Sequence, residues 1–435
     1  MFCNLPLVFH KRGFYYGYVV LFAGTIGVIA SVPGQTMGVS VYTEHLIEAL
    51  GIDRLSLSLM YLFGTLTSSF ILPYAGRILD KLGSRFLAVI AASGLAISLV
   101  FLSNSDRLTK LIVSLTNIDK VYIALPIIYL CFFGIRHFGQ GQLTMASRTM
   151  MGRWFEKKRG LMLGLSGTFV AFGFGISPYV LNKLISYFSW RESLYVLAAS
   201  LLCFAIFAYI FYRRSPEHYG LAIDGGLTAD EDEDSSNLAT QLSFTANEAK
   251  RTFIFWVFNF GTATQAMLIT AITFHIADIG ALANLDSTTA FGIFIPVSII
   301  AVVTELIAGY LSDRLPLKYI LSVMQAALAL ALIGLQSFGS DFGYTLVAVG
   351  LGISGGIFSL LTSAAWPKLF GRMHLGAIMG LVSAWMVAGS SVGPYFFSQG
   401  KSLTGDYSTI LYISLIIPLS VFVASFFVTN PRRKN

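Results

Sequence analysis

Val121–Met151 reads VYIALPIIYLCFFGIRHFGQGQLTMASRTMM. It is apolar over more than the roughly 20 residues needed to cross a bilayer, yet Arg136 and His137 sit near its centre. An arginine at that depth costs roughly 3 kcal/mol or more unless it faces protein, water or a bound anion. Wound as a helix, the stretch puts Tyr129, Arg136, Gln140 and Ser147 on one stripe, with Ile128, Phe132 and Leu143 on neighbouring faces. Arg136 is then either an anchor, paired with a carboxylate or a carbonyl, or part of a polar cavity that recognises something anionic. The rest of the chain favours the cavity.

Hydrophobic residues make up 55% of the 435 positions and charged ones 12%. The mean hydropathy is +0.72. Too few charges exist to coat a soluble surface, so the chain reads as a polytopic membrane protein. Its net charge of +7 is then explained by basic loops on the cytoplasmic side, with no nucleic-acid partner implied. Cys3, Cys131 and Cys203 form no disulfide framework. Lys11-Arg12 precedes an apolar run without a small-residue cleavage site, and a retained first helix is expected.

Working outward, runs of spanning length occur at 16–41, 56–79, 86–103, 121–148, 160–183, 191–212, 252–277, 288–311, 318–337, 343–366, 376–398 and 407–428. The expected fold is an all-α membrane protein of twelve transmembrane helices in two six-helix halves, residues 1–212 and 252–435. Residues 213–251 form a cytoplasmic linker carrying the acidic run Asp230–Asp234. Consecutive acids lack the alternating spacing and glycine of a calcium loop, so a solvated linker is expected there. With both termini cytoplasmic, twenty-one of the 29 basic residues lie inside, seven outside, and Arg136 alone within the membrane.

The halves repeat. Gly160, Gly164, Gly173, Pro178 and Tyr179 recur 216 residues later as Gly376, Gly380, Gly389, Pro394 and Tyr395. Small residues there allow close helix approach, and the prolines interrupt regular backbone bonding. A second duplicate pairs the short loop Gly76–Arg85 with Gly309–Lys318. Gly76, Asp80, Lys81, Gly83 and Arg85, echoed by Gly309, Asp313 and Arg314, form a candidate conformational latch.

The pattern G-x-x-x-D-K-x-G-x-R at Gly76–Arg85, with Ser84 where a basic residue is commoner, resembles the loop 2–3 signature of the major facilitator superfamily. Trp154-Phe155-Glu156-Lys157-Lys158-Arg159-Gly160, followed by Gly164, and Phe14-Tyr15-Tyr16-Gly17-Tyr18-Val19-Val20 are similar to segments of monocarboxylate transporters and oxalate/formate antiporters. The resemblance implies alternating access, with the first, fourth, seventh and tenth helices lining the cavity. That group tends to place an arginine in its eighth helix, and the antiporters a lysine in the eleventh. Here 376–398 has neither lysine nor arginine, and 288–311 offers Glu305 instead. A monoanion or zwitterion therefore suits this chain better than oxalate.

The candidate solute-binding residues are Arg136, His137, Gln140, Tyr129, Gln35, Asn259 and Gln265. Against this stands interhelical hydrogen bonding for the amides and packing for His137 and His275. Glu305 and His137 are candidate proton carriers, Glu305 equally a latch member. No catalytic, metal or cofactor motif appears, so the chain is not expected to be an enzyme. The expected protein is a monomeric, multi-pass transporter of the plasma membrane (the inner membrane of a bacterium). Its partners are a small organic solute, lipids and coupling protons. An exporter and a receptor-like homologue of the same fold are the alternatives. Cysteines placed singly in 104–120, on a background lacking the native three, should react with an impermeant maleimide from outside. Those in 230–234 should react only after permeabilisation, and the opposite pattern would reverse the orientation.

Overall fold

The computed structural model describes residues 5–11, 13–116, 118–155, 159–221, 244–312, 314–371 and 375–429. A helix forms over each of the twelve runs: α1 (Gly17–Ala30), α2 (Arg54–Leu82), α3 (Ser84–Ser103), α4 (Lys120–Trp154), α5 (Arg159–Tyr187) and α6 (Trp190–Phe211), then α7 (Phe253–Leu282), α8 (Phe294–Ser312), α9 (Leu317–Leu335), α10 (Asp341–Leu360), α11 (Leu375–Thr404) and α12 (Ser408–Phe426). Among the described residues, eleven segments are long and apolar enough to cross a membrane. The one expected span not among them, 376–398, lies within α11, whose thirty residues include Ser383, Ser390, Ser391 and Pro394. No strand occurs among the described residues. The chain divides into two compact units, Met1–Asp230 and Glu231–Asn435, whose boundary falls in the acidic run, outside the described residues.

Side chains at the helix starts satisfy the amides that no intrahelical carbonyl reaches. Asp53 accepts from Ser56 N (2.6 Å) at α2, and Ser189 and Glu192 form a reciprocal capping box at α6. The expected outer loop after α3 instead holds a helix, Ser105–Thr116. Its buried Asp106 takes both prongs of Arg191, Nη2 at 2.7 Å, which docks this polar helix on the start of α6. Burial alone would raise the Asp106 pKa, but the Arg191 fork and charge hold it below the usual carboxylate range.

Lipid tails are as apolar as leucine, so helix contacts in a membrane depend on close packing rather than on exclusion of water. The repeat supplies it unequally. A side chain at Gly173 would meet Ile29 on α1 (2.9 Å). One at Gly389 would meet the carbonyl of Ala263 on α7 (2.7 Å), and one at Gly393 would strike the carbonyl of Met267. At Gly164 and Gly380 nothing described lies within 4 Å, so the close-approach expectation holds at one repeated pair and not at the other.

The first run, expected as one helix over 16–41, breaks. After α1 come a tight turn at Val32–Gly34, an extended Gln35 (φ −87°, ψ 161°) and short helices Thr36–Ser40 and Thr43–Leu50. Pro33 at the start of the turn lacks an amide donor, and Gly34 packs backbone to backbone on α4. A Cβ on Gly34 would strike the Ile135 carbonyl and lie 2.6 Å from Gly139 Cα. Gly34→Ala should therefore lower the melting temperature of the purified protein, by about 1–3 kcal/mol of overpacking. Gly76→Ala on α2, where nothing lies within 4 Å, is the control and should be neutral or slightly stabilising. Equal melting of the two variants would show that the backbone contact is not a constraint.

Candidate functional site

The break in α1 leaves Gly34 O without its helical donor, because the Gly38 amide bonds Gln35 O instead (3.1 Å). Arg136 fills the gap: Nη1 donates to Gly34 O at 3.1 Å and lies 3.5 Å from Thr36 Oγ1. A cation at the carbonyl end of a helix also opposes the helix dipole. The guanidinium sits over the Tyr61 ring, 5.2 Å from its centroid, and Tyr61 OH bonds Thr36 Oγ1 (2.7 Å). Arg136 is 1% exposed, and among the described residues it makes no ion pair and its Nε and Nη2 have no hydrogen-bond partner. One arm of the guanidinium is anchored and the other is unfilled.

Arg136 opens a π-helical segment, Arg136–Leu143, inside α4. Such wide turns shift side-chain register and are frequent at functional sites. Gln35 joins this group, its Nε2 donating to Ser31 Oγ (3.0 Å) and Thr144 Oγ1 (3.3 Å). Gln140 is half-buried, and its amide lies 3.0 Å from where a Gly34 side chain would start. The other two candidates on α4 do not join it. His137 is stacked on Phe133 (5.4 Å), with Gln142 at Nε2 (2.9 Å) and Ser68 of α2 at Nδ1 (3.5 Å). Tyr129 OH donates to Thr67 (3.1 Å) beside an open recess lined by Met60, Phe63, Leu125 and Pro126. The seven-residue stripe thus separates: Tyr129 turns to α2 alone, and Arg136 to α2 and the broken first helix.

In the second unit, Gln265 Nε2 donates to Ser354 Oγ on α10 (3.2 Å), and Gln325 of α9 donates to Gly261 O (3.1 Å). Both Gln Oε1 atoms, and both amide atoms of the fully buried Asn259, have no partner. Glu305 Oε1 accepts from Ser359 Oγ on α10 (2.6 Å) and is half-buried. Gln325 and Tyr61 were missed from sequence, since neither stands out among the scattered polar groups of its helix. No cluster of metal-binding side chains occurs among the described residues.

A model of the Major Facilitator Superfamily matches residues 24–394. The chain belongs to that superfamily. It is 22% identical to human monocarboxylate transporter 14 over 409 residues, covering 78% of this chain and 76% of that protein. It is 26% identical to the mouse protein of the same name over 146 residues, a quarter of that relative's length. Its fold is similar to a D-xylose-proton symporter (TM-score 0.68, 16% identity, 95% and 98% of the two chains). It is also similar to a bacterial homologue of the human lysosomal transporter Spinster (TM-score 0.63, 12% identity, 95% and 96%). The superfamily and the spans make it a multi-pass membrane protein.

The superfamily-like motifs, distant in sequence, meet at one end of the first unit. Tyr16 packs at a tilt against Trp154 (5.5 Å) and Tyr15 lies edge-on to Phe155 (5.9 Å), so the start of α1 holds the end of α4. Tyr16 OH donates to Phe211 O (3.0 Å). Of the expected latch, Arg85 Nε donates to Tyr212 O at the end of α6 (3.1 Å). Gly83 takes the left-handed φ of +85° beside Arg214. Gly76 and Lys81 make no close packing contact of this kind: nothing lies within 4 Å of a side chain at Gly76, and Lys81 is exposed. Gly309 is likewise open, and Arg314 covers the Tyr310 ring (3.9 Å). Asp80 is placed by its backbone in the last turns of α2, and Asp313 lies outside the described residues.

Proposed function

We propose that this protein is a secondary active transporter that moves a small carboxylate-bearing solute, a monoanion or zwitterion, by alternating access, with proton symport. Arg136 carries the proposal. A buried guanidinium with one anchored arm and two unfilled donors matches a two-pronged carboxylate. Neutralising such a charge with a solute is worth more than leaving it unpaired in a low-dielectric setting. The chain's likeness to a protein named a monocarboxylate transporter supports the solute class, and its likeness to a proton symporter supports the coupling ion. Gln35 and Thr36 are placed to orient the solute, since both border the same break. Because Arg136 is covered, solute entry has to part Thr36 from Tyr61, which ties binding to movement of the first helix. We place the transporter in the plasma membrane as a monomer, its termini cytoplasmic, acting as a carrier and not as an enzyme.

A neutral polyol or sugar is the second reading, favoured by the unfilled amides of Asn259, Gln265 and Gln325. A thermal-shift panel of short monocarboxylates, amino acids and sugars on the purified protein separates the two. Stabilisation by a carboxylate should fall tens- to thousands-fold in affinity in Arg136→Ala, a loss of about 2–5 kcal/mol. Arg136→Lys should recover part of it, keeping charge without the planar fork. Unchanged affinity in a folded Arg136→Ala protein, or stabilisation by sugars alone, would leave the neutral solute as the substrate.

A further inference from the structure

The helix Ser105–Thr116, between α3 and α4, divides its side chains among three faces. Ser105, Asp106 and Thr109 are buried against the rest of the first unit. Asp106 is held there by Arg191, whose Nη1 also donates to Ser103 O (2.8 Å), and Thr109 Oγ1 donates to Ser105 O (2.7 Å). Arg107, Lys110 and Ser114, all exposed, form a second face. Leu108, Leu111, Ile112 and Leu115 form the third, at the i, i+3, i+4, i+7 spacing of an apolar stripe. At 3.6 residues per turn the three faces centre about 120° apart. The apolar one does not turn to the protein: Leu111 is 55% exposed and Leu115 76%. A helix lying on a protein in water turns its apolar face inward and its polar face out. Here the inner face is polar, and part of the outside is leucine and isoleucine.

What covers the leucines follows from where the helix sits. Arg191, which holds Asp106, lies over the ring of Trp190 (4.3 Å), the first residue of α6. Tyr187 and Phe188, both exposed, stand at the end of α5, and Tyr122, 74% exposed, stands at the start of α4. Aromatic side chains gather in this way where spanning helices pass from the hydrocarbon into the headgroups. Asn104, just ahead of the helix, donates from Nδ2 to Tyr195 OH on α6 (2.7 Å), so the helix begins at the depth of that belt. It ends there as well: Lys120, the first residue of α4, follows closely on Thr116, and Ile118 and Val121 carry the exposed apolar surface onto the spanning helix. We propose that Ser105–Thr116 is an interfacial helix lying along the bilayer surface, with Leu111, Ile112 and Leu115 sunk among the acyl chains and Arg107 and Lys110 at the phosphates. Basic residues beside a leucine face are the composition that binds a lipid surface in this way. The start of α4, the helix that bears Arg136, is thereby fixed to one leaflet. Such a helix needs only the membrane that the chain spans and is independent of the solute carried.

Site-directed spin labels read the occupant directly. The full chain, freed of its three native cysteines and held as single copies in nanodiscs of phosphatidylcholine and phosphatidylglycerol, carries one nitroxide at a time from 107 to 116. At 111, 112 and 115, oxygen, which partitions into lipid, should relax the label several-fold more than a water-soluble nickel chelate does. At 107, 110 and 114 the order should reverse, and at 109 neither reagent should reach the label. If the cysteine-free protein does not fold, Leu115→Trp in the native sequence gives a second reading. Its added fluorescence should be quenched by phospholipids brominated on the acyl chains and not by iodide. Nickel access at 111 and 115 equal to that at 114 would put the face in water and overturn the inference. Exclusion of both reagents there would overturn it too, by showing that this chain covers its own leucines. Iodide quenching of Leu115→Trp without quenching by brominated lipid would do the same.

Discussion

The hydrogen bond from Arg136 to Gly34 O determines how the first unit is built. A helix interrupted inside a membrane leaves carbonyls that water cannot reach, and each costs free energy until something donates to it. Pro33 removes a donor, Gln35 turns extended, and the guanidinium supplies the missing bond from another helix. The arrangement needs two glycines, Gly34 and Gly139, because a side chain on either would collide with the opposing backbone. Arginine, break and glycines therefore form one device. Removing any of them leaves either a stranded carbonyl or a stranded charge.

The same economy explains why a guanidinium and not an ammonium stands at 136. A lysine could satisfy Gly34 O, but its single ammonium would have to serve the carbonyl and any other acceptor from one point. The planar fork divides its work: Nη1 holds the protein, and Nε and Nη2 stay directed elsewhere. Tyr61 helps from below, its ring face offsetting part of the desolvation cost and its hydroxyl fixing Thr36.

The fold was readable in the sequence because it depends on composition, span length and a repeat, all of which a bilayer imposes on the chain directly. The twelve runs became helices, and the Gly173/Gly389 pair packs as small residues do. Site geometry was less readable because it depends on departures from regular helix. A continuous α-helix puts Tyr129 and Arg136 on one stripe, but their partners differ once the backbone widens into a π segment at Arg136. Nothing in RHFGQGQL marks that widening. The interruption of α1 left a clearer trace in Val32-Pro33-Gly34, although its consequence, an acceptor exactly where Arg136 needs one, exists only in three dimensions. Likewise His275 was read as a packing histidine, and it is packed; Asp278, Tyr407 and Lys401 lie on three separate elements and only folding joins them.

The two units carry matched helices and a repeated sequence pattern, but their polar chemistry differs. Between Phe342 and Pro367 the second unit has no acidic or basic side chain, so α10 has no equivalent of Arg136 on α4. Conversely, the broken first helix has no titratable group comparable to His275 and Asp278 at the far end of α7: Met37, Gly38, Val39 and Ser40 occupy that end of the run. Each unit thus specialises. The first holds a buried guanidinium anchored on Gly34 O beside the Tyr61 ring. The second joins an imidazole, a phenol and a carboxylate in one hydrogen-bonded chain. Keeping the guanidinium on one unit and the imidazole on the other lets each be tuned without disturbing the backbone that the other depends on.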